Sequence, residues 1–146
     1  MERKDLKSSP AARAENFLDR ARRMDREVHT KLMQVEYCRA LATRVTAVTR
    51  DTVVSHTRDV TAMQNAVLRL MEAEQELDDA VGRLADARKD VGEMIGRIDE
   101  DDPRQVLEMR YLTGLSWDQI AEACDRTVRW AHIMHRKGTE AVQRML

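Results

Sequence analysis

The chain has few aromatic residues, glycines, prolines or cysteines, and each shortage excludes a class of structure. Aromatic residues make up only 3% of the 146 positions, with five Gly, two Pro and two Cys, whereas 35% of the residues are charged. A β-sandwich of this length would need more aromatic, β-branched and turn residues. Cys38 and Cys124 are far apart and at apolar positions, which favours structural thiols over a disulfide or metal site. The composition predicts an all-α protein.

Long hydrophobic runs are also missing. No apolar stretch approaches the roughly 20 residues that a membrane-spanning helix requires. The first residues, Met1 to Lys7, carry charges with no apolar core behind them, unlike a secretory signal. We therefore expect a cytoplasmic protein with no membrane partner.

The net charge of −1 hides an uneven distribution along the chain. Residues 1–50 carry twelve Lys or Arg against seven Asp or Glu, which gives +5. Residues 51–102 carry six against fourteen, or −8, and residues 103–146 carry seven against five, or +2. The whole-chain charge would argue against a nucleic-acid partner, but the charge by segment does not.

Two long helices are predicted before residue 99, after a disordered tail at 1–11. In the first helix the apolar residues recur at helical spacing, and Leu32 substitutes for Lys31 at one position. Residues 46–58 are rich in Thr and β-branched residues, which predicts a loop. Opposite charges predict that the helices fold back as an antiparallel hairpin over residues 12–98. The first seam comprises Phe17, Ala21, Met24, Val28, Val35, Cys38, Ala42 and Val45.

The second helix, residues 59–98, has a heptad pattern typical of a coiled coil. Ten of the twelve positions of its predicted seam are apolar. Three glycines lie off this seam and are expected to loosen its second half. The seam comprises Val60, Met63, Val67, Leu70, Glu74, Leu77, Val81, Leu84, Arg88, Val91, Ile95 and Ile98.

The last part of the chain predicts a helix-turn-helix. An acidic linker at 99–102 precedes a helix that starts at Pro103 and stops at Gly114. Ser116 and Gln119 have the spacing of a capping box for the next short helix. Asp125 lies where the chain must turn, and Thr127 can cap a final helix. Residues 103–146 thus match the arrangement that places a second helix in the major groove.

The same residues resemble a known group of proteins. The segment from Leu107 to Ala121, with Arg110-Tyr111-Leu112, Gly114 and Ser116-Trp117, resembles the promoter-reading C-terminal region of bacterial sigma factors, and residues 129–137 resemble its recognition helix. The whole chain is similar to a phage and prophage family of sigma-like proteins related to late-transcription regulators of the ArpU and RinA type. Two departures from that pattern, Asp125 in the turn and Gly138 late in the last helix, predict a less rigid motif.

The resemblance and the local pattern give a set of candidate DNA-contacting residues on or just before the last helix. Arg can grip a guanine edge or hold a phosphate, and Thr127 with the helix-start amides suits a phosphate. The alternative is a solvated charged face without a ligand. Trp117 and Trp130 are expected to pack on the core rather than stack on bases. The candidates are Arg126, Thr127, Arg129, His132, Ile133, Arg136 and Lys137.

Other chemistry is not expected. His132, His135 and Cys124 lack the further ligand and paired spacing of a zinc site. No phosphate loop or catalytic set occurs in a plausible context, so we expect neither an enzyme nor a cofactor.

Two function classes remain from the sequence. One is a transcription regulator that binds double-stranded DNA, with a hairpin that forms a homodimer or contacts RNA polymerase. The other is a phage structural or packaging protein similar to a terminase small subunit. A third interpretation is a helical interaction adaptor with a degenerate helix-turn-helix.

Overall fold

The computed structural model describes residues 9–51 and 56–146, which are helical almost throughout and contain no strand. The chain forms two compact units, one from Met24 to Leu84 and the other from the residues up to Arg23 together with Ala85–Leu146. The predicted fold class is confirmed: a long antiparallel helical hairpin is followed by shorter helices. The helices are α1 (Pro10–Asp51), α2 (His56–Gly96), α3 (Asp101–Leu107), α4 (Trp117–Ala123) and α5 (Val128–Met145), with a π-helical segment, Glu108–Leu112, after α3.

Ion pairs between α1 and α2 fix the antiparallel direction. In the unit Met24–Leu84, which we call the hairpin unit, the partner's number in α2 falls as the residue number in α1 rises. As the charge pattern predicted, most of these pairs join a basic residue of α1 to an acidic residue of α2. The pairs are Glu27–Arg83, Lys31–Glu76 at 3.0 Å and Arg39–Glu74 at 3.5 Å, and the other unit adds Arg20–Asp90 at 2.9 Å.

The seam of α2 uses alanines where the sequence predicted valines. Its predicted members Met63, Leu70, Leu77 and Leu84 are half-buried, and Val91, Ile95 and Ile98 are buried. The prediction was wrong for Val60, Val67, Glu74, Val81 and Arg88, which are exposed; Ala66 is half-buried, and Ala73, Ala80 and Ala87 are buried.

The error has a simple cause. Heptad steps alternate between three and four residues, so two seams can share every second member and differ at the others. Counting apolar residues selects the larger valines, whereas a single methyl group at Ala80 lets two helix backbones approach closely.

In α1 the predicted substitution of Leu32 for Lys31 was also wrong. Leu32 is exposed, whereas Lys31 is half-buried in the seam, and its ammonium group reaches Glu76. A lysine can bury its aliphatic stem and keep its charge in water, so it fills an apolar position that its charge seemed to exclude.

Four predicted boundaries need correction. The loop at 46–58 is too long: α1 continues to Asp51 and α2 begins at His56, while residues 52–55 lie outside the described residues. Threonines remain in this part of α1 because their hydroxyls bond back to carbonyls four residues earlier, as Thr46 Oγ1 does to the Ala42 oxygen at 2.8 Å.

Two further boundaries are helix starts, and the fourth is a helix end. Residues 10 and 11 belong to α1 rather than to a tail, because Ser9 caps the helix by accepting the Ala12 N–H at 3.2 Å; residues 1–8 lie outside the described residues. Asp101 and Asp102, predicted as linker, form the first turn of α3, where acidic side chains favour the helix dipole. Helix α2 ends at Gly96, two residues before the predicted end.

The helices after residue 100 enclose a small apolar core. Val106, Ile120 and Ala131 are fully buried, one each from α3, α4 and α5. Trp117 and Trp130 pack against this core with half-buried rings, as predicted. The further partly buried members of the cluster are Met109, Leu115, Cys124 and Met134. None of the helices in the described ranges is long and apolar enough to cross a membrane.

Candidate nucleic-acid interface

The turn between α4 and α5 is a closed hydrogen-bonded motif. The Arg126 N–H donates to the Ala121 oxygen at 2.9 Å, and the Asp125 N–H donates to the Glu122 oxygen at 3.1 Å. These are the two bonds of a Schellman motif, whose central residue is left-handed, and Asp125 has a φ of 51°. Aspartate tolerates this conformation better than most side chains, so the turn forms without glycine.

Both helices of the motif begin with a side-chain cap. The Gln119 N–H donates to Ser116 Oγ at 3.2 Å, and the Ser116 N–H donates to Gln119 Oε1 at 2.9 Å, which confirms the predicted capping box. Thr127 Oγ1 accepts the Trp130 N–H at 3.1 Å and so starts α5. The two caps and the turn between them fix where α5 begins relative to α4.

Five of the seven predicted contact residues lie on one exposed face of α5, which we call the α5 face. The spacing of three and four residues brings them together on one side of the helix, while Ala131, Gly138 and Val142 face inward and are buried. Arg126 and Thr127 are also exposed and immediately precede the helix. The α5 face consists of Arg129, His132, Ile133, Arg136 and Lys137.

The cations of the α5 face have no carboxylate partner among the residues that the structure describes. Arg129, Arg136 and Lys137 form none of the ion pairs found among the described residues. The guanidinium of Arg126 lies 5.4 Å from the centre of the Trp130 ring, a cation–π contact that keeps its N–H groups available. The rise from Arg129 to Lys137 is roughly 12 Å, similar to the width of the major groove.

His132 has a packing contact that the sequence did not predict. Its ring centre lies 4.1 Å from that of Trp117, with the two planes tilted by 35°. The Arg110 guanidinium lies 4.5 Å from the centre of the same Trp117 ring. His132 is therefore exposed at the α5 face but held in place from below by α4.

A tyrosine and a histidine join the π-helical segment after α3 to the middle of α5. The Tyr111 hydroxyl lies 2.6 Å from His135 Nε2. Burial, with Arg110 and His132 nearby, lowers the pKa of His135 to about 4, and burial together with the Asp19 charge raises the pKa of Tyr111 to about 12. Both groups are neutral near pH 7, and the hydroxyl and the imidazole nitrogen share one hydrogen bond whose direction is set by the imidazole tautomer.

Gly138 does not loosen α5, contrary to the prediction from its departure from the sigma-like pattern. A methyl group built at Gly138 would lie 2.7 Å from Leu107 Cγ and 2.8 Å from its Cδ1. Leu107 is fully buried, so the absence of a side chain at 138 is what lets α3 and α5 pack here.

Two further cations lie near the α5 face, and sequence reasoning missed both. Arg97 and Arg144 line one cleft of about 240 Å³ together with Lys137, and Asp99 and Glu100 line it as well. Arg97 follows the end of α2 and is 47 positions from Arg144, so no local spacing could have joined them. The only sequence signal for the cleft was Arg144, a basic residue two helical turns beyond Lys137.

Comparison with protein-family models, curated proteins and solved structures gives no match. The chemistry of the site must therefore come from its geometry. Within residues 9–51 and 56–146, no three His, Cys, Asp or Glu side chains are grouped so that they could hold a metal ion. The α5 face presents unpaired cations around one apolar residue, Ile133, which is 44% exposed. Such a face can bind phosphates through its cations and contact a thymine methyl through the isoleucine.

Proposed function

We propose that the protein is a sequence-specific DNA-binding transcription regulator, phage or prophage encoded, that reads a promoter or operator through α5. The observation that carries this proposal is the α5 face, where unpaired cations surround Ile133 on a helix held by a Schellman turn and two side-chain caps. In this proposal α5 enters the major groove, and Arg126, Arg129, Arg136 and Lys137 supply most of the affinity through phosphate contacts.

The number of phosphate contacts sets the expected salt dependence. For B-DNA the logarithm of the affinity falls with the logarithm of salt concentration by about 0.9 per neutralised phosphate. Four contacts from the part of the chain that comprises helices α3 to α5, which we call the α5 module, correspond to a slope of roughly −3.6. A solvated face without a ligand would give no measurable binding to duplex DNA at low salt.

Sequence specificity requires a second test, because phosphate contacts carry no base information. Selection from a library of random duplexes should enrich one motif with the wild-type protein. Arg129→Ala should cost about 1–3 kcal/mol and relax the preference at one position if Arg129 reads a base, but weaken all sequences equally if it holds a phosphate. Unchanged binding would remove Arg129 from the interface, and a selection that enriches no motif would contradict sequence-specific reading.

The hairpin unit supports a second part of the proposal, a homodimer. Met33 and Tyr37 of α1 are 69% and 67% exposed and line a hollow of about 500 Å³ beside α2. Arg69 and Glu72 line the same hollow and form no ion pair with any described residue. A two-fold axis through this surface would place Arg69 of each copy near Glu72 of the other.

Assembly size distinguishes the regulator from the alternatives. Sedimentation velocity should give a dimer for the wild-type chain and a monomer for Tyr37→Glu, while Val81→Glu, an exposed apolar residue outside the hollow, should leave the dimer intact. A large ring would instead favour the packaging alternative. A monomer that binds no DNA would favour the adaptor. RNA polymerase remains a further partner in this proposal, to be tested by direct binding.

A further inference from the structure

We propose that the cleft lined by Arg97, Lys137 and Arg144 is a second phosphate-binding site, which binds a DNA backbone phosphate next to the groove that α5 enters. This inference rests on the proposed function and extends it to residues outside the predicted motif. The ligand class is a phosphodiester of double-stranded DNA.

The position of the cleft supports this assignment. Lys137 belongs both to the α5 face and to the cleft, so the two surfaces are continuous. Arg144 lies two turns further along α5, roughly 10 Å from Lys137 along the helix axis. In homeodomains the C-terminal end of the recognition helix contacts the DNA backbone while its earlier residues read bases. The C-terminal half of α5 can act in the same way.

The charges of the cleft also fit an anion. All three cations are exposed, and none forms an ion pair with any residue in the described part of the chain. A guanidinium can hold two phosphate oxygens at once, and Lys137 adds a point charge. Asp99 and Glu100 oppose this by lining the same cleft, which leaves a net charge of +1.

Apolar residues complete the lining of the cleft. Ile98, Pro103, Ala141 and Met145 complete a space of about 240 Å³. This volume is at the small end for a ligand pocket, which argues for a single phosphate group rather than a whole nucleotide or a folded peptide.

The test is the salt dependence of binding to a random-sequence duplex, measured by fluorescence anisotropy. With two added contacts from Arg97 and Arg144, six phosphates are neutralised and the wild-type slope is roughly −5.4 instead of −3.6. Arg97→Gln/Arg144→Gln should make the slope less steep by roughly 1.8, which returns it to roughly −3.6. Arg13→Gln/Lys89→Gln removes two exposed charges outside the cleft and should leave the slope unchanged. Asp99→Asn/Glu100→Gln should tighten binding.

The possible outcomes separate this inference from the proposed function. A less steep salt dependence in the cleft variant, but not in its control, supports the second phosphate-binding site. If the cleft variant keeps the wild-type slope while Arg129→Ala/Arg136→Ala weakens it by roughly 1.8, the second phosphate-binding site is overturned and the proposed function stands. If the slope becomes less steep by the same amount in the cleft variant and in the control, the second phosphate-binding site is also overturned, because the effect then depends only on total charge. If the wild-type chain binds no duplex at low salt, both are overturned. Circular dichroism checks that each variant is folded.

Discussion

The hairpin unit and the α5 module use their charged and apolar residues in opposite ways. In the hairpin unit, basic side chains such as Lys31 and Arg39 pair with carboxylates of the other helix, while large apolar side chains such as Met33 and Tyr37 remain exposed. In the α5 module the apolar residues close into a core, and the cations of the α5 face have no ion-pair partner among the described residues. Charge is used internally in one region and remains available for an external anion in the other.

In the proposed function, this difference corresponds to two different partners. Exposed apolar surface of this kind is typical of a protein contact, whereas unpaired cations on a rigid capped helix are typical of nucleic-acid binding. Matched substitutions in the two regions can test this difference.

The core of the α5 module should be sensitive to truncation. Ile120 is fully buried, so Ile120→Ala should lower the free energy of unfolding by about 2–5 kcal/mol. The control is Ile133→Ala on the exposed α5 face, where a change within about 1 kcal/mol is expected. Both tryptophans lie after residue 116, so urea unfolding followed by tryptophan fluorescence reports on this region. Equal losses in the two variants would contradict the distinction between core and face.

The hairpin seam should respond to substitution at alanine but not at valine. Ala80 is 1% exposed and Val81 is 47% exposed. Ala80→Leu should therefore cost about 1–3 kcal/mol by overpacking, measured by far-UV circular dichroism in urea. Val81→Ala should change stability by less than about 0.5 kcal/mol, because it removes little buried surface and improves helix propensity. A larger loss of stability for Val81→Ala than for Ala80→Leu would instead support the seam predicted from the sequence.

Acidification should weaken the α5 module through His135. Its pKa is about 4 in the folded chain and near 6.5 when unfolded. Between these values the unfolded chain binds a proton that the folded chain does not, so the free energy of unfolding rises from pH 4 to pH 6.5 and is level above. Allowing for partial exposure of the ring, the gain is about 1–2 kcal/mol.

His135→Gln is the control for this pH effect. Glutamine keeps a hydrogen-bond acceptor near Tyr111 but does not titrate, so the variant should have a flatter dependence between pH 5 and pH 6.5. Urea midpoints from tryptophan fluorescence across that range give the measurement. An unchanged pH dependence would show that another group controls acid sensitivity.

Alanine at two glycines should have opposite effects in the two regions. A side chain at Gly138 would overlap Leu107, so Gly138→Ala should destabilise by about 1 kcal/mol after its gain in helix propensity. Nothing lies within 4 Å of the equivalent position at Gly82, so Gly82→Ala should stabilise by about 1 kcal/mol. Thermal unfolding followed by circular dichroism gives both signs, and the same sign for both would contradict the packing described at Leu107.

Local signals in the sequence predicted more of this molecule than non-local ones. The caps at Ser116 and Thr127 and the left-handed turn at Asp125 depend on neighbouring residues, and all three were predictable. The seam register was not, because Ala80 and Val81 both fit a helical period and only the partner helix decides between them. The extension of α1 through its threonines depends on back-bonding that a propensity scale does not include.

The candidate interface follows the same rule. Helical spacing alone placed Arg129, Ile133 and Arg136 on one face. The contact between Trp117 and His132 and the close approach of Gly138 to Leu107 could not be predicted, because each joins two elements whose packing the sequence does not state. The cleft was missed for the same reason.

We propose that the unpaired cations of the α5 face, and not the paired cations of the hairpin unit, bind DNA. The most direct test compares Arg129→Ala/Arg136→Ala with Lys31→Ala/Arg39→Ala, which removes the same charge from ion-paired positions, in a salt series on one random-sequence duplex. We expect the slope to weaken by roughly 1.8 for the α5 pair and to stay at the wild-type value for the hairpin pair. Equal weakening in both variants, or in neither, would contradict the account.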